Sequence, residues 1–382
     1  MSPAVTAANA MTRFWAERFD EESTVCSGAG AWPLLALLAW ASGGPARTEL
    51  EDALGVPARE AAGHARELLA VLAASTDAEA ALGLWTHRAL ELKSTWLAAL
   101  PGGCAETLTG DSAADQERLD RWARERTGGL IERMPVSVDA ETLLVLASAL
   151  TVRTRWRVPF SEWTARPGEG PWAHREVPTL GRRGAPADDL SVRSTPAGTI
   201  TDVRVTGQED VDVHLFLGAE SLRAHRVLPA ALAALAGGAP APLADGPGVT
   251  VSERRSHTPE DVLDVTVPKF AVAAEHDLLA LPGVFGLATA TDASRGHFPG
   301  VCERPPLAIQ QAKQRAVARF DALGFEAAAV TAFAARAGSA YRPPPHLVKE
   351  YAVAFERPFG FAAVHRPSGL VLFAGWVTDP DG

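Results

Sequence analysis

Apolar and polar positions follow two different periods along this chain, and the change between them marks its organisation. From Asn9 to Phe19 the apolar anchors Phe14, Trp15 and Phe19 recur at the spacing of a short amphipathic helix, with Asn9 as its N-cap. Ala31 to Ser42 is almost wholly apolar and is closed by Gly43-Gly44-Pro45, which predicts a helix buried on most sides with a firm stop. Thr48 to Leu54 and Arg59 to Val71 continue in helical register. Asp111 then caps a surface helix whose Leu119, Trp122 and Ala123 recur at helical spacing before Gly128-Gly129 turns the chain.

Beyond that turn the pattern becomes that of strands. Leu143 to Val152 is an apolar run interrupted by the small polar Ser148 and Thr151, which predicts a central strand buried on both faces. Further strands are expected at Val203 to Val205, Val211 to Phe216, Leu263 to Phe270, Ala316 to Phe320, Val353 to Phe355, Phe361 to His365 and Leu370 to Trp376. The last two read as a hairpin across Arg366-Pro367-Ser368-Gly369. Thr164 to Asp188 and Pro229 to Gly248, rich in Gly and Pro, predict weak structure apart from a short helix at Ala230 to Leu235. Early helices followed by scattered strands, without a regular strand-helix-strand rhythm, give an α+β fold class. No change of composition is sharp enough to divide the 382 residues, so a single domain is expected.

Composition narrows the partners. With 47% hydrophobic and 21% charged residues the chain is globular, and its net charge of -10 argues against binding a phosphate backbone. Cys26, Cys104 and Cys302 are too few and too far apart for a disulfide framework. The start Met1-Ser2-Pro3-Ala4-Val5-Thr6 has neither the basic stretch nor the apolar core of a secretory signal, and no apolar run is long enough to span a bilayer. A monomeric cytoplasmic protein is the expectation, with secretion open if a leader has been removed.

The chain carries none of the common catalytic or cofactor motifs. His87, His174, His214 and His225 have no partners at metal-ligand offsets, so they read as solvent-facing or structurally bonded, and no metal or cofactor is expected. There is no Gly-x-Ser-x-Gly elbow. Gly28-Ala29-Gly30 lacks the third glycine and the strand-helix-strand unit of a dinucleotide site. Trp122 and Trp156 read as core residues, while Trp15, Trp32, Trp40, Trp163, Trp172 and Trp376 leave a ligand cage open.

One resemblance organises these pieces. The run from Leu143 through Trp156 to Pro159-Phe160 resembles the serpin strand that reads Leu-Val-Leu-Val-Asn-Ala-x-Tyr-Phe-Lys-Gly-x-Trp before a nearby Pro-Phe. Trp122 to Ile131, Val267-Pro-Lys-Phe270, His297-Phe298-Pro299-Gly300, Arg357-Pro358-Phe359-Gly-Phe361 and His365 to Val377 have counterparts in the same order. The chain therefore resembles a serpin, of bacterial type. That implies a large central mixed sheet, two further sheets, surrounding helices and an exposed reactive loop.

Gly324-Phe-Glu-Ala-Ala-Ala-Val-Thr331 resembles the serpin hinge Gly-Thr-Glu-Ala-Ala-Ala-x-Thr, so Gly324, Phe325, Glu326, Ala327, Ala328, Ala329, Val330 and Thr331 are the expected hinge and 324–345 the hinge and loop. In inhibitory members this loop is cleaved by a protease, inserts as a new strand and distorts the trapped enzyme. Small residues suit a segment that must slip between packed strands, because overpacking costs roughly 1–3 kcal/mol. As a strand it would place Phe325, Ala327, Ala329, Thr331 and Phe333 on one face, which in the family points to the core. Family counting puts the scissile bond at Gly338-Ser339; Arg336, Tyr341 and Arg342 offer alternative recognition, and Pro343-Pro344-Pro345 a stiff spacer or a mere linker.

The departures from the family fall together. Phe325 replaces a small first inward residue, Ala322 a common Glu, Ser148 the usual Asn, Gln314 the usual His, and Gly28 the Pro that follows Ser27. Ser27, Ser148, Gln314 and Trp156 are the expected region where the sheet must part, and its hydrogen-bond network is rebuilt or lost. Three functions remain: an inhibitor of a serine or cysteine protease acting by loop cleavage and insertion, a non-inhibitory binding or carrier module, and an enzyme with a small-molecule pocket on the same scaffold.

Overall fold

The helix at the start of the chain begins seven residues before the position that its polar residues suggest. In the computed structural model, which describes residues 1–168, 170–325 and 344–380, helix α1 runs Pro3–Ala16. Ser2 caps it through its side chain, and Pro3 fills the first turn, where a missing N–H costs nothing. Asn9 is no cap. Its Nδ2 donates to Gly369 O and its Oδ1 accepts from Val371 N, both at 2.8 Å, so mid-helix it fastens the C-terminal hairpin. Phe14, expected as an anchor, is 44% exposed, whereas Trp15 and Phe19 are buried.

Helix α2, Gly28–Ala41, is the apolar helix of the sequence, and most of its residues are buried. Gly28 packs against α1 so closely that a Cβ there would stand 2.2 Å from Thr12 Oγ1 and 2.9 Å from Ala8 O. Glycine permits this contact, which no side chain at position 28 would survive without a backbone shift. Helix α3, Ser112–Arg126, is capped by Asp111 as its pattern predicts.

Four sheets surround these helices. Seven antiparallel strands make one, in the order Thr24–Cys26, Leu370–Val377, Phe359–His365, Val211–Leu217, Gly198–Thr206, Leu190–Thr195, Ala239–Pro240. Five make another, in the order Val249–Ser256, His346–Ala354, Val262–Pro268, Val177–Pro186, Ser161–Ala165. Val177–Pro186 lies inside the stretch expected to be weakly structured. Likewise helix Ala224–Leu235 starts before the predicted short helix and passes through Pro229. The expected strand Leu263 to Phe270 is two strands, because the chain leaves one sheet at Pro268 and enters another at Phe270.

The remaining strands form two sheets side by side. β1 (Ala78–His87) lies between β2 (Ala105–Leu108) and β3 (Leu144–Val152), and β4 (Thr154–Arg155) follows β3 after Arg153 alone. β5 (Phe270–Asp277) pairs along its length with β6 (Lys313–Phe320), and a two-residue strand β7 (Gly324–Phe325) joins β6 to β4. Burial alternates along β3, with one face buried and the other half-buried, so the central strand expected to be buried on both faces is fully covered on one face only. It pairs with β1 along one edge, and among the described residues its other edge has no strand partner. Replacing Asn9 with alanine removes two bonds to hairpin backbone groups and should lower stability by about 2 kcal/mol, read as a lower urea midpoint.

Candidate functional site

The two lips of this opening, β3 and β6, meet at one end and are held apart along the rest. At the closed end Phe325 pairs with Thr154 of β4 and with Phe320 of β6. Its ring is 2% exposed and lies 6.4 Å, centroid to centroid, from that of Phe361. Leu150, Val152, Ala316 and Phe373 line a small pocket together with it. Phe325 thus faces inward as the family resemblance implies, and the bulk that the hinge pattern disfavours has a seat.

Trp156 builds the closed end. It is fully buried, its Nε1 donates to Asp321 O at 2.8 Å and its backbone N–H to Leu323 O at 2.9 Å, while Phe160 N donates to Ala322 O at 2.8 Å. Three successive carbonyls before the hinge are therefore taken. Ala322 contributes through its backbone, and Lys269 Nζ adds ion pairs at 3.2 Å with Asp321 and Glu162. Phe320 stacks on Phe270 and is 4.8 Å from Trp156 between centroids, so the turn rests on an aromatic cluster.

Along the open part the lips are tied through the first turn of α2. Gln314, on β6, accepts from Ser27 N with Oε1 and donates to Ser27 O with Nε2, both at 2.8 Å. Ser27 Oγ donates to Leu372 O at 2.6 Å and accepts from Gly30 N at 3.0 Å. Ser148 Oγ, on β3, donates to Gly30 O at 2.7 Å. Of the two outcomes open from sequence, the network is rebuilt: Gln314 and Ser148 each find backbone partners. Burial pushes the thiol of the neighbouring Cys26 far up, which leaves it an inert apolar side chain.

Between the lips lies a cavity of about 390 Å³. Leu34 and Leu38 of α2, Leu146 of β3, Phe298, Leu307 and the segment after α3 line it, with Ser27, Ser148 and Gln314 as polar points. Ser137 in that segment is fastened by Gln311, whose Oε1 accepts from Ser137 N at 3.0 Å and whose Nε2 donates to Ser137 O at 3.1 Å. The tryptophans do not form the cage left open by the sequence. Trp122 lines the cavity, whereas Trp15 packs on Phe285, Trp172 near Phe359, and Trp163 is 44% exposed.

Gly324, Phe325, Ser27, Ser148, Gln314 and Trp156 are therefore brought together around one opening. Glu326, Ala327, Ala328, Ala329, Val330, Thr331, Gly338, Ser339, Arg336, Tyr341 and Arg342 lie outside the described residues. Asp321, Lys269 and Gln311 belong to the site but carry no signal in the sequence pattern. Among the described residues no group of three His, Cys, Asp or Glu could hold a metal ion, and no helix is long and apolar enough to cross a membrane.

Comparison with known proteins places this geometry. The family model described as Serpin (serine protease inhibitor) matches residues 5–169 and 249–380. Serpin-Z2A of Oryza sativa subsp. japonica is 27% identical, with 78% of this chain and 76% of that protein covered. Plasminogen activator inhibitor 2 of Homo sapiens is 24% identical, with 69% and 60% covered. Among solved structures, Serpin48 of the insect Tenebrio molitor superposes with a TM-score of 0.75 at 17% identity, covering 98% of each chain. Thyroxine-binding globulin in complex with thyroxine gives 0.73 at 18%, covering 99% of each. These relatives are plant and animal proteins and lend no support to a bacterial type. Gln314→Ala should lower stability by about 2–3 kcal/mol, because it frees two backbone groups of Ser27. A lower melting temperature with faster exchange of the Ser27 amide is the expected result.

Proposed function

This chain belongs to the serpin family, and from that premise we propose that it inhibits a serine or cysteine protease by loop cleavage and insertion. The whole chain would act as one unit, with 324–345 as hinge and reactive loop. The observation that carries this reading is the position of Phe325, which pairs as a first rung at the head of a gap between two strand edges. A strand that continued from it would meet ready partners on both sides.

The registers already set at Phe325 give the arrangement. Continued down both lips, they would put Ala327 between Val152 and Ala318, Ala329 between Leu150 and Ala316, and Thr331 between Ser148 and Gln314 in the inserted form. Phe333 would come between Leu146 and Ala312, where the cavity is lined by large apolar side chains. Small residues thus fall in the tight upper part of the slot, a hydroxyl at its polar point and a large ring in its wide part. β3 alone offers nine residues of backbone. At roughly 0.5–1.5 kcal/mol per hydrogen bond, filling the slot is worth on the order of 10 kcal/mol, enough to drive a protease acylated at the loop away from its resting geometry.

The family's scissile position at Gly338-Ser339 follows this segment, with Arg336, Tyr341 and Arg342 as alternatives for the residue a protease pocket reads. A second reading draws on the cavity itself: an apolar space with a few polar points suits a carried small molecule. It is supported by the fold shared with thyroxine-binding globulin, whose complex contains thyroxine.

Incubation with trypsin-like, chymotrypsin-like and elastase-like proteases should give an adduct that survives SDS; cleavage without an adduct across the panel would favour the carrier. Cleavage within 336–342 should also raise the melting temperature sharply. Ala327→Arg should abolish the adduct while the loop remains cleavable. Because Phe325 is already seated, Phe325→Thr should destabilise the intact protein by about 3 kcal/mol without improving the stoichiometry of inhibition. A better stoichiometry would mean that the ring obstructs insertion.

A further inference from the structure

The outermost strand of the five-stranded sheet, Val249–Ser256, has an edge to spare. It pairs antiparallel with His346–Ala354 along its inner edge, and among the described residues no strand pairs with its outer one. All 8 of its residues are exposed or half-exposed. A row of open backbone N–H and C=O groups of this length is a template for another strand, and like charges along such an edge are a common shield against pairing.

Here the charges do not shield. Glu253 and Arg255, of opposite sign, lie on one face of the strand about 7 Å apart, as residues two positions apart in a strand do. Both are exposed, and among the described residues neither has an ion pair or a side-chain hydrogen bond. In the register with the inner strand, Glu253 stands opposite Lys349 and Arg255 opposite Leu347. Leu347 is 62% exposed, and Val251 on the same face 39%. Arg254, on the other face, turns inward: its Nε lies 3.2 Å from Glu350 Oε2 on the neighbouring strand.

An antiparallel copy of this strand reverses the order of its charges. A twofold axis perpendicular to the sheet keeps each face in common, so side chains of one face meet only those of the same face. With the axis at Arg254, Glu253 of each copy meets Arg255 of the other. With the axis at Glu253 or at Arg255, that residue meets its own like charge; at Ser252, Glu253 meets Val251. The Arg254 register is therefore the one of these four that pairs opposite charges. It sets each Glu253 between Lys349 of its own chain and Arg255 of the second copy, and on the opposite face it brings the small Ser252 and Ser256 together. The two Arg254 side chains, each turned to its own Glu350, leave the axis clear.

We propose that the outer edge of Val249–Ser256 docks a second copy of this chain, strand to strand about a twofold axis at Arg254. The sheet then runs on through both molecules, with backbone hydrogen bonds holding the contact and the Glu253–Arg255 pairs setting its register. The contact is narrow, from Ser252 to Ser256 on each side, and smaller than the roughly 1,200 Å² of a standing complex, so the dimer forms on concentration and dissociates on dilution. It uses no residue of the loop and stands apart from the protease reading.

Sedimentation velocity from about 5 to about 500 µM reads this association. Wild type should sediment as a monomer at the low end and shift toward a dimer at the high end. Glu253→Arg and Arg255→Glu should each weaken the dimer by about tenfold or more, although they move the net charge of -10 in opposite directions. Mixed one to one, the two variants carry opposite charges at the contact and should form a dimer at least as tight as that of wild type. All three positions are exposed or half-exposed at the edge, so an unchanged melting temperature confirms that each variant is folded. Arg254→Cys puts a thiol on the axis, where paired Cα atoms stand about 4.5–5.5 Å apart, within reach of a disulfide. Mild oxidation should give a covalent dimer of Arg254→Cys, and none of Thr250→Cys, which lies off the axis. A wild type that stays monomeric throughout overturns the proposal, as does association that neither single variant weakens or that their mixture fails to restore. Growth beyond dimers also overturns it, because a contact with the sheet's other edge, Ser161–Ala165, would continue from copy to copy without closing.

Discussion

The structure depends on a ladder that is begun and not completed. β3 and β6 present backbone edges to each other, yet among the described residues the only rung between their lines is made by Gly324 and Phe325 at one end. Backbone N–H and C=O groups are obligatory hydrogen-bonding groups, and an edge left without a strand is a standing source of free energy. What keeps the lips apart is equally specific. The first turn of α2 stands beneath them, with Gln314 on one side and Ser148 on the other bonded to its backbone rather than to each other. The open state is thus a satisfied state locally, although a strand in the gap would satisfy more of the molecule.

Side-chain volume grades the opening from end to end. Aromatic rings close the top, where Trp156, Phe160, Phe270 and Phe320 pack together and hold the carbonyls before the hinge. Next comes a region bordered by Leu150, Val152, Ala316 and Ala318, then the polar point at Ser27, then the apolar cavity. The order of residues after Phe325 mirrors this gradient: alanines, a threonine, a phenylalanine. Under the proposed insertion, segment and slot would agree at several successive positions, the kind of consistency that marks a specified structure.

The two ends of the loop are treated differently by the fold. Among the described residues its near end, Gly324 and Phe325, pairs with β4 and β6. Its far end is enclosed between two strands in another sheet.

Much of this was legible in the residues. The α+β class, the helix and strand types of the long periodic segments and the C-terminal hairpin followed from period and alternation, while the inward face of Phe325 followed from the family resemblance. The order of motifs along the chain identified the family. Tertiary structure decided the rest, for a physical reason. Which edge of β3 is paired, and which is left open, depends on backbone groups that are the same in every residue, so no pattern of side chains records it. Asn9 reads as a cap by type, and only the hairpin brought against it from the other end of the chain makes it a clasp. Gln314 departs from its family, and whether that departure broke the network or rebuilt it rested on the backbone of Ser27, 287 positions away, lying within 2.8 Å of its carboxamide.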